Sequence, residues 1–293
     1  MEAKGILCPM ITPCRDTKVD LEASRKLIKH IISKGAAGIF GAGSNGSFPI
    51  LSAEEHFKFL ESAREVVDAR HTFFADISRN NYEETLEMGR MVVGIGPDAV
   101  VLNTPYYIPI EQDSLYAYFD RLIGKLDSDV LLYNIPQFSG NAISVETVKK
   151  LAAQHSNLVG IKESSGIFNN IMAFLDGMPK GFAVFQGQDN FLLSSLEYGA
   201  AGGICGTTNF SDIAVKVYEA FAAGKIGQAR TLQKKLTALK NAASMVPFPV
   251  GPAYLASKLV LGSESTYLHF PIRDITKAKK AELYSAYRKA LKA

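Results

Sequence analysis

The chain has 293 residues, of which 47% are hydrophobic and 21% charged, and its 32 basic and 29 acidic residues give a net charge of +3. The basic residues form no run interleaved with aromatic side chains, so we expect no nucleic-acid partner. No uncharged apolar stretch reaches the roughly 20 residues that a membrane span requires, and we expect no membrane partner.

Cysteine usage and the first residues both favour a cytoplasmic protein. The three cysteines, Cys8, Cys14 and Cys205, are odd in number and form no CxxC pair, which argues against a disulfide framework. The amino-terminal residues lack the basic and then apolar layout of a signal peptide.

Short apolar segments alternate with longer segments of helical periodicity along the chain. The predicted strands are Gly5–Pro13, Ala37–Gly43, Thr72–Ile77, Ala99–Pro105, Val130–Pro136, Val159–Ser164, Ala183–Gly187 and Gly202–Thr207. The predicted helices between them are Leu21–Ser33, Ala53–Val67, Tyr82–Val93, Ser114–Leu126, Val145–Ala153, Phe168–Leu175, Phe191–Glu197 and Asp212–Ala222. Eight such units in about 220 residues predict an α/β fold, the (β/α)8 TIM barrel.

Residues that favour the start of a helix precede three of the predicted helices. They are Asp20, Ser144 and Ser52, and Ser52-Ala53-Glu54-Glu55 has the pattern of a capping box. Residues 225–293 contain no further predicted strand. We expect them to form extra carboxyl-terminal helices at Ile226–Ala243, Pro252–Leu261 and Ile275–Leu291. No linker-like segment interrupts the chain, so we expect residues 1–293 to form a single barrel domain.

Active sites of such barrels lie where strands end, and Lys162 ends the apolar run Leu158–Ile161. A lysine that points into the barrel loses hydration, which lowers its pKa and frees a neutral amine to attack a ketone. Position alone also permits a lysine that reaches water. Tyr133 ends the preceding strand, so its phenol should lie near Lys162 and could relay protons. The alternative for Tyr133 is a core aromatic.

The run Gly41-Ala42-Gly43-Ser44-Asn45-Gly46 has the spacing of a dinucleotide-binding loop. However, no helix begins directly after it, and about 20 residues later, where such a fold has a strand with a terminal acid, the sequence predicts a helix. It also lacks the lysine of a phosphate-binding P-loop. We interpret it as a turn whose N–H groups and Ser44 hydroxyl hold a small anion. The five histidines are scattered, so we expect no metal site and no cofactor.

Taken together, five segments in this order resemble the dihydrodipicolinate synthase and N-acetylneuraminate lyase superfamily of lysine-dependent aldolases. They are Gly43–Gly46, Pro105–Tyr107, Tyr133–Pro136, Lys162–Ser164 and Gly187–Asp189. The resemblance covers almost the whole chain. It implies that Lys162 forms a Schiff base and that Tyr133 shuttles protons.

The resemblance also assigns residues that bind substrate. Ser44 and Asn45 would hold the carboxylate of pyruvate, and Asn45 replaces the usual threonine. Tyr107 would support the Tyr133–Ser44 relay, in many relatives from a neighbouring subunit. Further substrate contacts are expected at Ser164, Gly187 and Asp189. The family habit of tetramers implies a homotetramer.

Departures from the family pattern indicate the substrate. Phe138 stands where dihydrodipicolinate synthases place an arginine, and a phenyl ring offers no hydrogen-bond donor. The runs 185–189 and 206–212 look most like archaeal 2-keto-3-deoxygluconate aldolases, which implies cleavage of that acid to pyruvate and glyceraldehyde. Ile110 replaces the arginine of relatives that accept the phosphorylated acid, and Lys234, Lys235 or Lys240 on the following helices could compensate for it. An N-acetylneuraminate lyase, a sugar-acid dehydratase and a non-catalytic sugar-acid sensor are the alternatives.

Overall fold

The computed structural model describes residues 3–292, and within them eight parallel strands close into a barrel. Each strand pairs with the next along the chain, and the last pairs with the first. This confirms the predicted TIM barrel. The strands are β1 (Gly5–Pro9), β2 (Gly38–Gly41), β3 (Thr72–Asp76), β4 (Ala99–Asn103), β5 (Val130–Asn134), β6 (Leu158–Glu163), β7 (Ala183–Gln186) and β8 (Gly202–Ile204).

Helices surround the barrel, and three more follow the last unit. They are α1 (Leu21–Ser33), α2 (Ala53–Arg64), α3 (Tyr82–Val93), α4 (Gln112–Ile123), α5 (Val145–Gln154), α6 (Phe168–Gly177), α7 (Leu192–Tyr198), α8 (Ile213–Ala222), α9 (Ile226–Ala243), α10 (Val250–Ala256) and α11 (Lys277–Ala290). A one-turn helix, Pro136–Ser139, follows β5, and a π-helical segment, Ser257–Leu261, extends α10. No helix within the described residues is both long and apolar enough to cross a membrane.

Strand alternation separates two apolar layers. One set of side chains fills the barrel interior and includes Phe40, Phe74 and Phe185, all fully buried. The residues between them point outward, as Phe73 does, and pack with side chains of the surrounding helices such as Phe59. Both faces of each strand are therefore covered, which explains the nearly continuous apolar runs in the sequence.

Asp20, Ser52 and Ser144 cap the starts of α1, α2 and α5, as predicted. In each case the side-chain oxygen accepts a hydrogen bond from the backbone N–H three residues later. The capping box at Ser52 forms only by half, because the Glu55 carboxylate turns away and accepts from the Val19 N–H at 2.8 Å. Glu55 thereby ties α2 to the segment that precedes α1.

The expectation that the last residues contain no strand was wrong. Leu268–His269 pairs in parallel with Cys14–Asp16, which forms a hairpin with Lys18–Val19. A two-residue strand is too short to show a period in the sequence. The first strand also ends at Pro9, since beyond it the Ile11 N–H donates to a side chain rather than to a neighbouring strand.

The carboxyl-terminal helices pack over two sides of the barrel's last units. Leu236 and Leu239 of α9 join an apolar cluster with residues of α7 and α8. Tyr254 of α10 and Leu283 of α11 pack with Phe210, which follows β8. These helices therefore lie next to the carboxyl ends of the strands.

We predict that Ser52→Ala lowers the free energy of unfolding by about 1 kcal/mol, because the Glu55 N–H at the start of α2 loses its acceptor. The midpoint of thermal unfolding, Tm, should fall by roughly 2 °C. Ser52→Asp keeps an acceptor at the same position and serves as the control. Equal midpoints for Ser52→Ala and the unchanged protein would contradict the assignment of this cap.

Candidate active site

Lys162 and Tyr133 are paired in register where β5 and β6 end. The Lys162 Nζ lies 4.0 Å from the centre of the Tyr133 ring and 4.5 Å from that of the Phe40 ring. Only 2% of the lysine is exposed. Burial strips water from the ammonium group and lowers the pKa of Lys162 to about 7, so a substantial fraction of the amine is neutral near neutral pH.

The Tyr133 hydroxyl lies 3.3 Å from the Ser44 Oγ, so the two hydroxyls share a hydrogen bond between β5 and the loop after β2. Burial raises the pKa of the Tyr133 phenol above its ordinary value, which keeps the group protonated. The ring packs edge-on against Phe40, at 5.7 Å between centroids. Packing and hydrogen bonding therefore fix the phenol beside the amine.

Close packing and positive φ angles shape the loop that carries Ser44 and Asn45. A Cβ on Gly46 would lie 2.6 Å from the Thr12 Oγ1, so only glycine fits there. Ala42 and Ser47 flank the loop with φ of 54° and 59°, a left-handed conformation that costs energy in residues other than glycine. Such strain is common where a site must hold one geometry.

Ser44 and Asn45 begin a 3-10 turn, and N–H groups at the start of a helical turn have no partner within it. The Asn45 side-chain oxygen is buried and finds no hydrogen-bond partner in the described part of the chain. Both side chains line the cavity above Lys162. The donors that the loop can offer to a small anion are its free backbone N–H groups, the Ser44 hydroxyl and the Asn45 amide nitrogen, whereas the Asn45 oxygen can only accept.

Gly187 and Ser164 meet at the ends of β7 and β6. A Cβ on Gly187 would lie 1.7 Å from the Ser164 Oγ, so the glycine is what leaves room for the serine. The Ser164 backbone oxygen accepts from the side-chain amides of Gln137 and Gln188, at 2.7 and 2.9 Å. This arrangement holds two glutamines, neither identified from the sequence, at the wall of the cavity.

Asp189 lines the cavity, but its carboxylate already has partners. One oxygen accepts from the Gly206 N–H at 3.0 Å, and the other accepts from the N–H and hydroxyl of Thr207. Burial raises the pKa of Asp189. In this arrangement the carboxylate ties the end of β7 to the end of β8.

Tyr107 lies outside the cavity of this chain. It is 93% exposed and has a φ of 81°. Its backbone N–H donates to the Ser139 oxygen, which holds the loop but not the phenol. Of the sequence-predicted residues, Tyr107 is the one that the single chain does not bring to the others.

The cavity above Lys162 has a volume of about 570 Å³ and is closed on one side by the carboxyl-terminal helices. Lys240 and Ser244, at the end of α9, belong to this wall, as does Phe248. Phe248 stacks on Phe138 with 5.1 Å between ring centroids. A search limited to strand ends misses this wall, because only tertiary packing brings α9 to the cavity.

The arrangement joins a desolvated amine, a phenol and an anion-holding loop in one enclosed space. A neutral amine attacks a ketone to form an imine, and a nearby phenol supplies or accepts the protons. Within residues 3–292, no three His, Cys, Asp or Glu side chains converge as a metal site. The amine beside the phenol, and the phenol hydrogen-bonded to Ser44, together suit imine chemistry on a small 2-oxo acid.

Comparison with known proteins identifies the family of the chain. Residues 2–290 match the model of the dihydrodipicolinate synthetase family. A 2-dehydro-3-deoxy-D-gluconate/2-dehydro-3-deoxy-phosphogluconate aldolase of Picrophilus torridus is 39% identical over 213 residues, which cover 72% of this chain and 79% of that protein. A 4-hydroxy-tetrahydrodipicolinate synthase of Methanopyrus kandleri is 29% identical over 98% of this chain and 96% of its own.

Solved structures give the same result. The 2-keto 3-deoxygluconate aldolase from Picrophilus torridus superimposes with a TM-score of 0.87 at 35% identity, covering 93% of this chain and 98% of that one. A prophage protein of E. coli K12 in complex with pyruvate superimposes with a TM-score of 0.92 at 25% identity, covering 98% of each chain. The chain is therefore a lyase that belongs to the dihydrodipicolinate synthetase family.

Proposed function

We propose that the protein is a class I aldolase that cleaves 2-keto-3-deoxygluconate reversibly to pyruvate and glyceraldehyde. The observation that carries the proposal is the buried Lys162 amine beside the Tyr133 phenol at the floor of an enclosed cavity. Similarity to the Picrophilus aldolase supports this choice of substrate within the family.

The reaction begins when the neutral Lys162 amine attacks the C2 carbonyl of the sugar acid. The resulting carbinolamine loses water and leaves a protonated imine. The backbone N–H groups and side chains of Ser44 and Asn45 hold the substrate carboxylate next to the lysine. This contact orients C2 toward the amine.

Cleavage follows because the imine accepts the electron pair of the C3–C4 bond. As that bond breaks, the C4 hydroxyl loses its proton to a base and glyceraldehyde leaves. We assign this transfer to Tyr133, which takes up the C4 proton as it passes its own proton to Ser44 and from there to water, so the phenol stays protonated. The 3.3 Å hydrogen bond between the two hydroxyls supports the assignment. The enamine is then protonated at C3 and hydrolysed to pyruvate.

The cavity wall supports a hydroxylated rather than a dicarboxylic substrate. Phe138 lines it at the position where dihydrodipicolinate synthases carry an arginine, and it has no donor for a second carboxylate. Gln188, Thr207 and Ser244 instead present amide and hydroxyl groups to the sugar hydroxyls. An N-acetylneuraminate lyase or a sugar-acid dehydratase on the same scaffold is the alternative, and analysis of the products distinguishes them.

Tyr107 enters the proposal through a second copy of the chain. An exposed tyrosine beside the site but outside its cavity suits a residue that completes the Tyr133–Ser44 relay of a neighbouring subunit. We therefore propose a homotetramer in which Tyr107 crosses between copies.

Pyruvate and borohydride should leave a covalent adduct on Lys162, since reduction converts the imine into a stable amine. Lys162→Met keeps a long apolar side chain in the barrel and should abolish both the adduct and turnover. Lys234→Met changes an exposed lysine of α9 and is the control. Peptide mapping by mass spectrometry that finds the adduct on a different lysine would refute the assignment.

Tyr133→Phe removes only the hydroxyl and keeps the packing against Phe40. We expect kcat for cleavage to fall roughly 10²- to 10⁴-fold, the usual worth of a positioned acid–base group. The rate at which borohydride traps pyruvate on Lys162 should fall less than kcat for cleavage, because the amine is unchanged. A variant with full kcat would exclude the phenol from proton transfer.

The unphosphorylated acid should be the better substrate, because Ile110 supplies no guanidinium for a phosphate. Lys240 is the one cation besides Lys162 in the cavity wall formed by the described residues, so it should carry the remaining cleavage of the phosphorylated acid. Loss of a charged hydrogen bond costs roughly 10- to 100-fold. We expect Lys240→Met to lower kcat/KM for the phosphorylated acid by that factor.

For the unphosphorylated acid, we expect Lys240→Met to lower kcat/KM by less than about threefold, because the far end of that acid carries no charge for Lys240 to bind. Lys234→Met is again the matched control on the same helix. Steady-state assays with both acids measure the ratio. Equal losses for the two substrates would show that Lys240 does not contact the phosphate.

A further inference from the structure

A fully buried carboxyl group ends β3. Asp76 follows Phe74 by two residues, and Phe74 lies in the barrel interior with Phe40 and Tyr133. Strand alternation therefore directs the Asp76 side chain into the same interior. Its Oδ1 accepts from the Ser78 N–H at 2.8 Å, whereas its Oδ2 finds no hydrogen-bond partner in the described residues.

An unpartnered carboxyl oxygen in an apolar interior is costly and calls for an explanation. Lys162 enters the same interior from β6, with its Nζ between the rings of Phe40 and Tyr133. Asp76 exerts the strongest electrostatic effect on Lys162 of any charged neighbour. Burial raises the pKa of Asp76 to about 7, and Lys162 offsets that rise in part. The acid and the amine therefore titrate in the same pH range.

The other titratable groups around this pair either stay protonated near neutral pH or are fixed by hydrogen bonds to other residues. Burial raises the pKa values of the Cys8 and Cys205 thiols and of the Tyr133 phenol, so all three stay protonated. Asp189 is held by Gly206 and Thr207.

On the outer side, His56 Nε2 lies 2.8 Å from the Asp76 backbone oxygen, and burial lowers the pKa of His56 to about 4. The ring is therefore neutral and donates to that oxygen. Tyr106 and Tyr118, whose pKa values burial also raises, are the remaining titratable groups that sense Asp76. Asp76 is thus the group positioned to change charge together with Lys162.

We propose that Asp76 is a positioning residue that acts through Lys162, as the counter-charge of its protonated imine. The inference rests on the proposed Schiff-base function. The Lys162 amine attacks C2, the carbonyl oxygen leaves as water, and the C=N bond forms with uptake of one proton. If Asp76 gives up one proton as this occurs, a neutral amine and a carboxylic acid become an iminium and a carboxylate. The barrel interior then keeps its net charge.

The test is Asp76→Asn, which keeps the size and an acceptor for the Ser78 N–H but removes the charge. The measurement is the rate at which pyruvate and cyanoborohydride modify Lys162 between pH 5 and 9. Asp76 raises the pKa of Lys162, so its loss should move the midpoint of reactivity to lower pH, by about one unit. The apparent affinity for pyruvate should weaken about tenfold, because the iminium loses its counter-charge.

Asp98→Asn is the matched control. Asp98 precedes β4 at the opposite end of the barrel, where its carboxylate accepts from the Phe73 N–H at 2.7 Å. It should leave the midpoint and the affinity unchanged. Asp76→Ser, which also lacks the charge, provides a second variant with the same expected shift in case Asp76→Asn folds poorly.

The outcomes separate the two proposals. If the unchanged protein is not modified at Lys162, the Schiff-base function fails. If it is modified, but both variants keep its midpoint and pyruvate affinity, the counter-charge role of Asp76 is wrong. A fall in thermal stability without a shift in midpoint would likewise overturn it, since it would assign Asp76 to the fold alone.

Discussion

The cost of placing an ammonium group inside an apolar barrel governs this structure. Phe40, Tyr133 and the surrounding strands exclude water from Lys162, and the resulting fall in pKa to about 7 corresponds to a cost on the order of 5 kcal/mol for the charged form. The unfolded chain keeps an ordinary lysine, so below its pKa folding must remove a proton or bury a charge. The packed core has to offset this cost, and the result is an amine that is partly neutral near neutral pH.

The groups around the amine are held by contacts between strand ends rather than by flexible loops. The Asp189 carboxylate links the ends of β7 and β8, and the close approach of Gly187 to Ser164 links β6 with β7. The 3-10 turn of Ser44 is fixed by its glycines and by the phenol of Tyr133. Such pre-organisation means that little reorganisation is required when substrate binds.

The barrel and the central pair could be predicted because both leave periodic or positional signals. Eight apolar runs separated by amphipathic segments specify the closed sheet, and adjacent strand ends place Tyr133 beside Lys162. The Leu268–His269 strand had no such signal, because its pairing with Cys14–Asp16 spans more than 250 residues of sequence.

The same distinction explains what was missed in the site. Lys240 was one of three helical lysines that the sequence offered as a substitute for the arginine replaced by Ile110. Its place in the cavity wall, like that of Ser244, depends on the packing of α9 against the barrel, which a helical period does not specify. In the sequence Asp76 is a single acid near the end of the predicted strand Thr72–Ile77. Its significance depends on burial and on an oxygen without a partner, which only coordinates reveal.

The wall formed by α9 and the segment after it gives the cavity two sides of different origin. The side that carries Lys162 and Tyr133 is built from strand ends, whereas the other comes from helices that follow the last strand of the barrel in the chain. Replacing residues of that wall changes the shape and charge of the cavity and leaves the surroundings of the lysine intact. Such a division allows a lineage to acquire new ligand preferences through a few helical positions, while the strand-end groups around the lysine are inherited unaltered.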